Sequence, residues 1–313
     1  MTHILPTLPK LIATSVVRGS EKGQSHGGVY TIDFARQRIE KHVDWNSNDI
    51  DFSNTGGDRG LRGVAFFQRE IFIAASDKLF CYSAEFKLLA TYRNPYLRHC
   101  HEISRRDNVL LLTSTAYDSL LAFDIVSKNF VWGVSLSCHG DRWEARSFNP
   151  MTRAGPRLSS RHHINMVHVA EHNVYLSGLH TGSLLQLCDD MTIMKICNLP
   201  AGTHNAQPFQ GGFIYNNTRS DAVSYVDCSG NRIDLPVIRH PKETLQFVGV
   251  DDSHIARQSF GRGLCAIDNR YIAGGSSPST ISVYDLLENR RVATINLTRD
   301  IRNAIHGLEV WPF

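Results

Sequence analysis

Histidine, arginine and asparagine recur in this chain where apolar strands begin. The fullest copy is SRHHINMVHVAEHNVYLSG, Ser160 to Gly178, with a polar lead-in, a strand, a tight turn and a second strand. Weaker copies are LRGVAFFQREIFIAAS from Leu61, HEISRRDNVLLLTST from His101, THNAQPFQGGFIYNNT from Thr203 and GRGLCAIDNRYIAGGSS from Gly261; the fragment IHGLEVWPF starts at Ile305. Aligning the copies on the following strand puts Arg62, His204 and Arg262 at one equivalent position, with His306 in the terminal fragment. Two copies leave a choice, Cys100 or His101 in one and His163 or Asn165 in the other. The set His101, His163, His204 and His306 is what a divalent ion such as Fe, Mn or Zn would take from imidazoles. Glu102 or Glu309 could then orient a ligand. Without a metal, His163 and His204 would act as general acid and base, because imidazole titrates near neutrality. Arg62 and Arg262 have planar forks suited to a carboxylate or phosphate. The plainer alternative is that these side chains satisfy backbone groups at strand starts. His168 and His172 read as structural, and His26, His42, His180, His240 and His254 as surface or loop residues.

Such residues need strands to position them, and strands are what the pattern gives. Period-2 and short apolar runs between Gly, Asn, Asp and Ser turns dominate, with almost no helical period. The runs fall into repeats of four strands. Second strands begin at Lys10, Glu70, Asn108, Asn173, Gly212 and Arg270, and third strands at Gly28, Lys78, Ser119, Ser183, Ala222 and Ile281. Asp33, Asp124, Asp189, Asp227 and Asp285 stand at or near third-strand ends, where a carboxylate can close a turn. The first repeat lacks a lead strand, which IHGLEVWPF supplies. An all-β, six-bladed β-propeller over residues 1–313, its first blade closed by the C-terminal strand, satisfies this pattern. Trp311 is expected between sheets. Two long inter-blade loops, 133–161 and 236–261, fall at the same end of the propeller channel as the histidines. The first contains CHGDRWEARSFNP and reads as a substrate lid or as a solvated loop anchored by Trp143.

Composition narrows the function. With 313 residues and 42% apolar content the chain buries a full core. A net charge of +3 with mixed signs forms no basic stripe, which argues against nucleic acid. Apolar runs are far shorter than a membrane span, and the N-terminus lacks the pattern of a secretory leader. Seven cysteines without CxxC spacing predict a reduced, cytoplasmic protein. No nucleophile elbow, phosphate loop or dinucleotide fingerprint occurs.

At His163-Ile164-Asn165-Met166 and in GRGLCAIDNRYIAGG the chain resembles a bacterial family of conserved hypothetical β-propeller proteins. That family has an HLNG strand start after a Pro-containing loop and a late RGL strand start; Met166 stands where the family has Gly. The resemblance spans much of the chain and implies the propeller fold, but brings no established activity. Gluconolactonase-like six-bladed propellers are a more distant likeness. They hold a metal with acidic and Asn side chains, which this ring largely lacks. Carotenoid oxygenases, with seven blades, lend only the idea of four histidines on a propeller. The expected function is a metal-dependent enzyme of lyase, hydrolase or oxygenase type. It would act on a small polar, possibly anionic, substrate at the channel mouth. The alternative is a non-catalytic propeller serving as a protein-interaction or ligand-binding module.

Overall fold

The computed structural model describes residues 8–53, 58–249 and 257–313. Its fold is an all-β, six-bladed β-propeller. The first sheet holds β1 (Leu11–Val17), β2 (Gly28–Asp33) and β3 (Arg38–Asp44). The second is β4 (Val64–Phe67), β5 (Glu70–Ala74), β6 (Leu79–Ser83) and β7 (Leu88–Tyr92). The third has five strands, β8 (Ile103–Arg106), β9 (Val109–Ser114), β10 (Ser119–Asp124), β11 (Asn129–His139) and β12 (Arg142–Phe148). The fourth is β13 (Ile164–Ala170), β14 (Asn173–Gly178), β15 (Ser183–Leu187) and β16 (Ile193–Asn198). The fifth is β17 (Thr203–Phe209), β18 (Gly212–Asn217), β19 (Ala222–Val226) and β20 (Arg232–Pro236). The sixth is β21 (Leu264–Ala266), β22 (Tyr271–Ser276), β23 (Thr280–Asp285) and β24 (Arg290–Asn296). As expected, β25 (Asn303–Val310) joins the first sheet, antiparallel to β1 with Val310 opposite Leu11.

The chain divides into two compact units, Met1–Leu61 with Phe209–Phe313, and Arg62–Pro208. Each builds its core between sheet faces. In the second unit, Leu110 and Leu112 face a cluster with Phe72, Leu79, Leu121 and Phe123, while Leu111 faces another with Val134, Ile164, Leu176 and Leu185. That split follows from strand alternation, and it explains why the middle strands read as unbroken apolar runs. In the first unit, Leu11, Ile32, Ile281, Val283 and Ile305 form one such cluster. Each fully buried side chain of this size contributes about 1.5–3 kcal/mol. Asp33, Asp124, Asp227 and Asp285 accept backbone N–H bonds at 3.0, 2.6, 2.8 and 3.0 Å and close their turns as expected. Asp189 instead pairs with Arg106, and Asp190 takes the turn N–H of Thr192.

Several expectations require correction. Residues 133–161 are not one long loop, because 133–139 continue β11 and 142–148 return as β12. Cys138 faces Trp143 and His139 faces Arg142, so Gly140 and Asp141 form a two-residue turn, with Gly140 at φ 63°. Gly-Asp between alternating segments is the hairpin signal that identifies this turn. Within 236–261, residues 250–256 lie outside the described residues. The rest is partly pinned, with Gln246 N–H donating to Arg299 O at 2.9 Å. His26 and His240 lie in loops, as one of the two expectations had it, but they are buried. His26 Nδ1 lies 2.8 Å from Ser20 Oγ, and His240 Nε2 lies 3.0 Å from Thr280 Oγ1. Trp311 is half-buried beyond the end of β25, its N–H donating to Lys10 O at 2.9 Å. His254 lies outside the described residues. All seven cysteines are free thiols.

Candidate functional site

In the second unit the inner strand of each blade begins the same way. His99, His163 and Gly202 sit at φ 53°, 51° and 84°, in the left-handed region. Each comes two residues before the first inward residue: His101, Asn165 and His204. Gly60, at φ 84°, precedes Arg62 by the same interval. A non-glycine residue there costs about 1 kcal/mol, which His tolerates better than a β-branched residue would. The bend turns a carbonyl back onto the side chain two residues on. His101 Nδ1 therefore lies 2.7 Å from His99 O, and His204 Nδ1 lies 3.2 Å from Gly202 O.

The choices left open by sequence are thereby settled. His101, not Cys100, holds the equivalent position. Cys100 is fully buried, and burial pushes its thiol up to about 12. Asn165, not His163, holds it in the fourth blade. His163 belongs to the lead-in; its ring meets His101 edge-on at 5.4 Å, and its Nδ1 is 3.3 Å from Ser160 Oγ.

These contacts fix protons. A carbonyl can only accept, so Nδ1 of His101 and of His204 must carry hydrogen in the neutral ring. Thr115 Oγ1, 3.0 Å from His101 Nδ1, donates its own proton to Ile164 O at 2.6 Å and so also presents a lone pair to the ring. In both histidines Nε2 is left as the basic nitrogen. Arg62, 5% exposed, donates Nη1 to Cys100 O at 3.0 Å and keeps its cation at the start of β4. Asn165 is 4% exposed, and neither its Oδ1 nor its Nδ2 has a hydrogen-bond partner among the described residues. Ser177 Oγ, beside it on β14, is in the same state.

The next residues along these strands interlock. Asn205, itself at φ 53°, donates Nδ2 to Glu102 Oε1 at 3.1 Å and touches Met166 Sδ at 4.0 Å. Gly63 makes room for that carboxylate: a Cβ there would lie 2.8 Å from Glu102 Oε2, 2.8 Å from Glu102 Cα and 2.6 Å from Ile103 N. Glu102 thus belongs to a packed layer of side chains drawn from three blades.

The first unit places Arg262 and His306 together. Arg262 Nη1 donates to His306 Nε2 at 2.9 Å, since a guanidinium has no lone pair to offer. That bond occupies Nε2 of His306, one of the two ring nitrogens able to ligate a metal. In the second unit the carbonyl contacts hold Nδ1 of His101 and of His204, the arrangement in which a histidine ligates through Nε2. Among the described residues no three His, Cys, Asp or Glu side chains converge as a metal centre would require. His101, His163, His204 and His306 do not form such a group among the described residues.

The β11–β12 hairpin carries Trp143 onto His162, ring centroids 4.6 Å apart, and helps line a groove of about 830 Å³ with Arg142, Arg146, Met191 and Lys195. His168, on β13, has its pKa lowered by burial to about 4, so it stays neutral, in keeping with a structural role. Sequence reasoning missed Thr115, which sits in a short turn of ordinary composition and carries no signal of its own.

No known family model matches the chain, and no curated protein does. Among solved structures it is similar over 96% of its length to a chain of a nidogen/laminin complex (97% of that chain, 8% identity, TM-score 0.62). It is similar over the same share to a protein of unknown function from Bacteroides caccae (98% of that chain, 10% identity, TM-score 0.56). The C-terminal WD40 domain of Sif2 matches 96% of the chain over 91% of its own length, at 10% identity and TM-score 0.50. At such identities the likeness establishes the β-propeller fold alone.

Proposed function

We propose that the protein is an enzyme acting on a small polar or anionic molecule at the inner-strand starts of the second unit. His101 and His204 serve as general acid and base through Nε2, and Arg62 and Asn165 bind the substrate. The observation that carries this reading is the pairing of committed and uncommitted groups. Two histidines are locked into the Nδ1–H form by carbonyls, and one blade on from His101 stands a buried amide with no hydrogen-bond partner among the described residues. A fold that only needed to satisfy its backbone would not leave Asn165 idle, because each unmet buried polar atom costs about 1–3 kcal/mol. A substrate carboxylate or amide supplies what Asn165 lacks, and Arg62 adds charge recognition. Acid–base help from a positioned imidazole is worth about 10²–10⁴ in rate.

A titration of isotope-labelled protein with small carboxylates, amides and phosphate monoesters, following the His101 and His204 ring signals, tests the reading. Saturable shifts are expected with at least one compound class, and Asn165→Leu should abolish them while the protein stays folded. Rings that respond to no compound, or that respond equally in Asn165→Leu, would leave the non-catalytic interaction module as the better account.

A further inference from the structure

The third blade differs from the other five in carrying a fifth strand. β12 ends its sheet, and among the described residues no backbone hydrogen bond runs from Arg142–Phe148 to anything but β11. A seven-residue edge of this kind is a ready template for another strand, and proteins commonly shorten it, cover it or give it charged side chains. Here the strand is long and its three charges alternate in sign, Arg142, Glu144, Arg146, so against the right partner strand they attract and do not repel. Trp143 and Ala145 pack toward the core shared with the fourth blade, so the three charged residues lie on the opposite face. The Arg146 side chain is 76% exposed, and its guanidinium lies 3.5 Å from Glu144.

We propose that β12 pairs antiparallel with β12 of a second copy of this chain, about a twofold axis at Ala145. In that register Glu144 of each copy faces Arg146 of the other, giving two ion pairs on one face. Arg142 faces Phe148, where its stem and guanidinium can lie on the ring, and Trp143 faces Ser147. An axis at Trp143 also sets Arg142 against Glu144 twice, but it overlaps only residues 142–144 of β12, whereas the axis at Ala145 pairs all seven. The other neighbouring registers fail. An axis at Glu144 sets Glu144 against itself and Arg142 against Arg146, and an axis at Arg146 sets Arg146 against itself. Shifts by one residue leave every charge opposite a neutral side chain. Sequence and edge geometry thus select one self-complementary pairing, as a closed twofold contact requires. Two short strands bury less than a standard interface, so the dimer is weak and concentration-dependent.

Sedimentation equilibrium of the full chain tests this. The parent should show a monomer–dimer equilibrium in the micromolar range. Glu144→Arg alone and Arg146→Glu alone should each weaken it about tenfold or more, because both cross-strand pairs turn repulsive. An equimolar mixture of those two variants should associate again as a heterodimer, and so should the double variant E144R/R146E with itself, since each restores opposite charges. Arg146 is exposed and Glu144 lies on the surface, so the fold should survive, as melting curves will check. A parent that stays monomeric to hundreds of micromolar overturns the proposal. So do single variants that dimerise like the parent, or a mixture that does not recover.

Discussion

Replacing Asn165 by leucine should make the protein more stable and less able to bind. The residue is 4% exposed on β13, and neither amide atom has a hydrogen-bond partner among the described residues. Leaving two buried polar atoms unmet costs about 1–3 kcal/mol each. Leucine has the same branched four-atom skeleton as asparagine and no polar atom, so the swap removes that penalty without opening a cavity, while its bulkier methyl groups offset part of the gain. A water molecule entering the site would recover part of the cost in the parent, which reduces the expected gain to about 1–3 kcal/mol. At roughly 2–4 °C per kcal/mol, the melting temperature should rise by about 2–12 °C. Differential scanning calorimetry on parent, Asn165→Leu and Ser177→Ala measures it; Ser177 is a control with one unmet atom and should change by less than about 1 kcal/mol. The ligand-induced shifts at His101 and His204 should vanish in Asn165→Leu over the same temperature range. A loss of 1 kcal/mol or more in Asn165→Leu would refute the reasoning, for it would mean the amide holds the blade together and is not kept for a ligand.

Two further outcomes follow from particular contacts. Gly63→Ala should destabilise by about 1–3 kcal/mol, because its Cβ would press on backbone atoms of Glu102 and Ile103 that cannot swing aside; a melting curve matching the parent would show that the layer around Glu102 is soft. His168 has a folded pKa near 4, below the ordinary 6.5, so the unfolded chain binds the extra proton between those values. Its contribution to stability is therefore complete above pH 6.5 and is lost as pH falls toward 4. Denaturant midpoints measured from pH 7 to 4 should fall less steeply in His168→Gln than in the parent, and parallel curves would contradict the assignment.

Repeats are what made the fold legible. The same apolar run and turn returned six times, five of them with an Asp near the third-strand end, and a missing lead strand at one end matched a spare strand at the other. The site was legible only in part, because sequence shows which residue types gather at strand starts but not which of two neighbours turns inward. That is decided by one backbone angle. With His99 at φ 53° the chain places His101 inward and buries Cys100, and with His163 at φ 51° it brings forward Asn165. Histidine at such a bend leaves no periodic mark, since an imidazole in the lead-in and one on the strand look alike in sequence. The proton positions were further out of reach. They depend on a carbonyl two residues back, and at His101 also on Thr115, a turn residue whose hydroxyl is aligned by Ile164 in the next blade. The loop expectation failed differently: the charged run around Trp143 reads as solvated loop until its alternation is counted across Gly140 and Asp141. Then Arg142, Glu144 and Arg146 fall on one face, Trp143 and Ala145 on the other. The same two-residue period that makes the segment a strand also makes its edge complementary to itself.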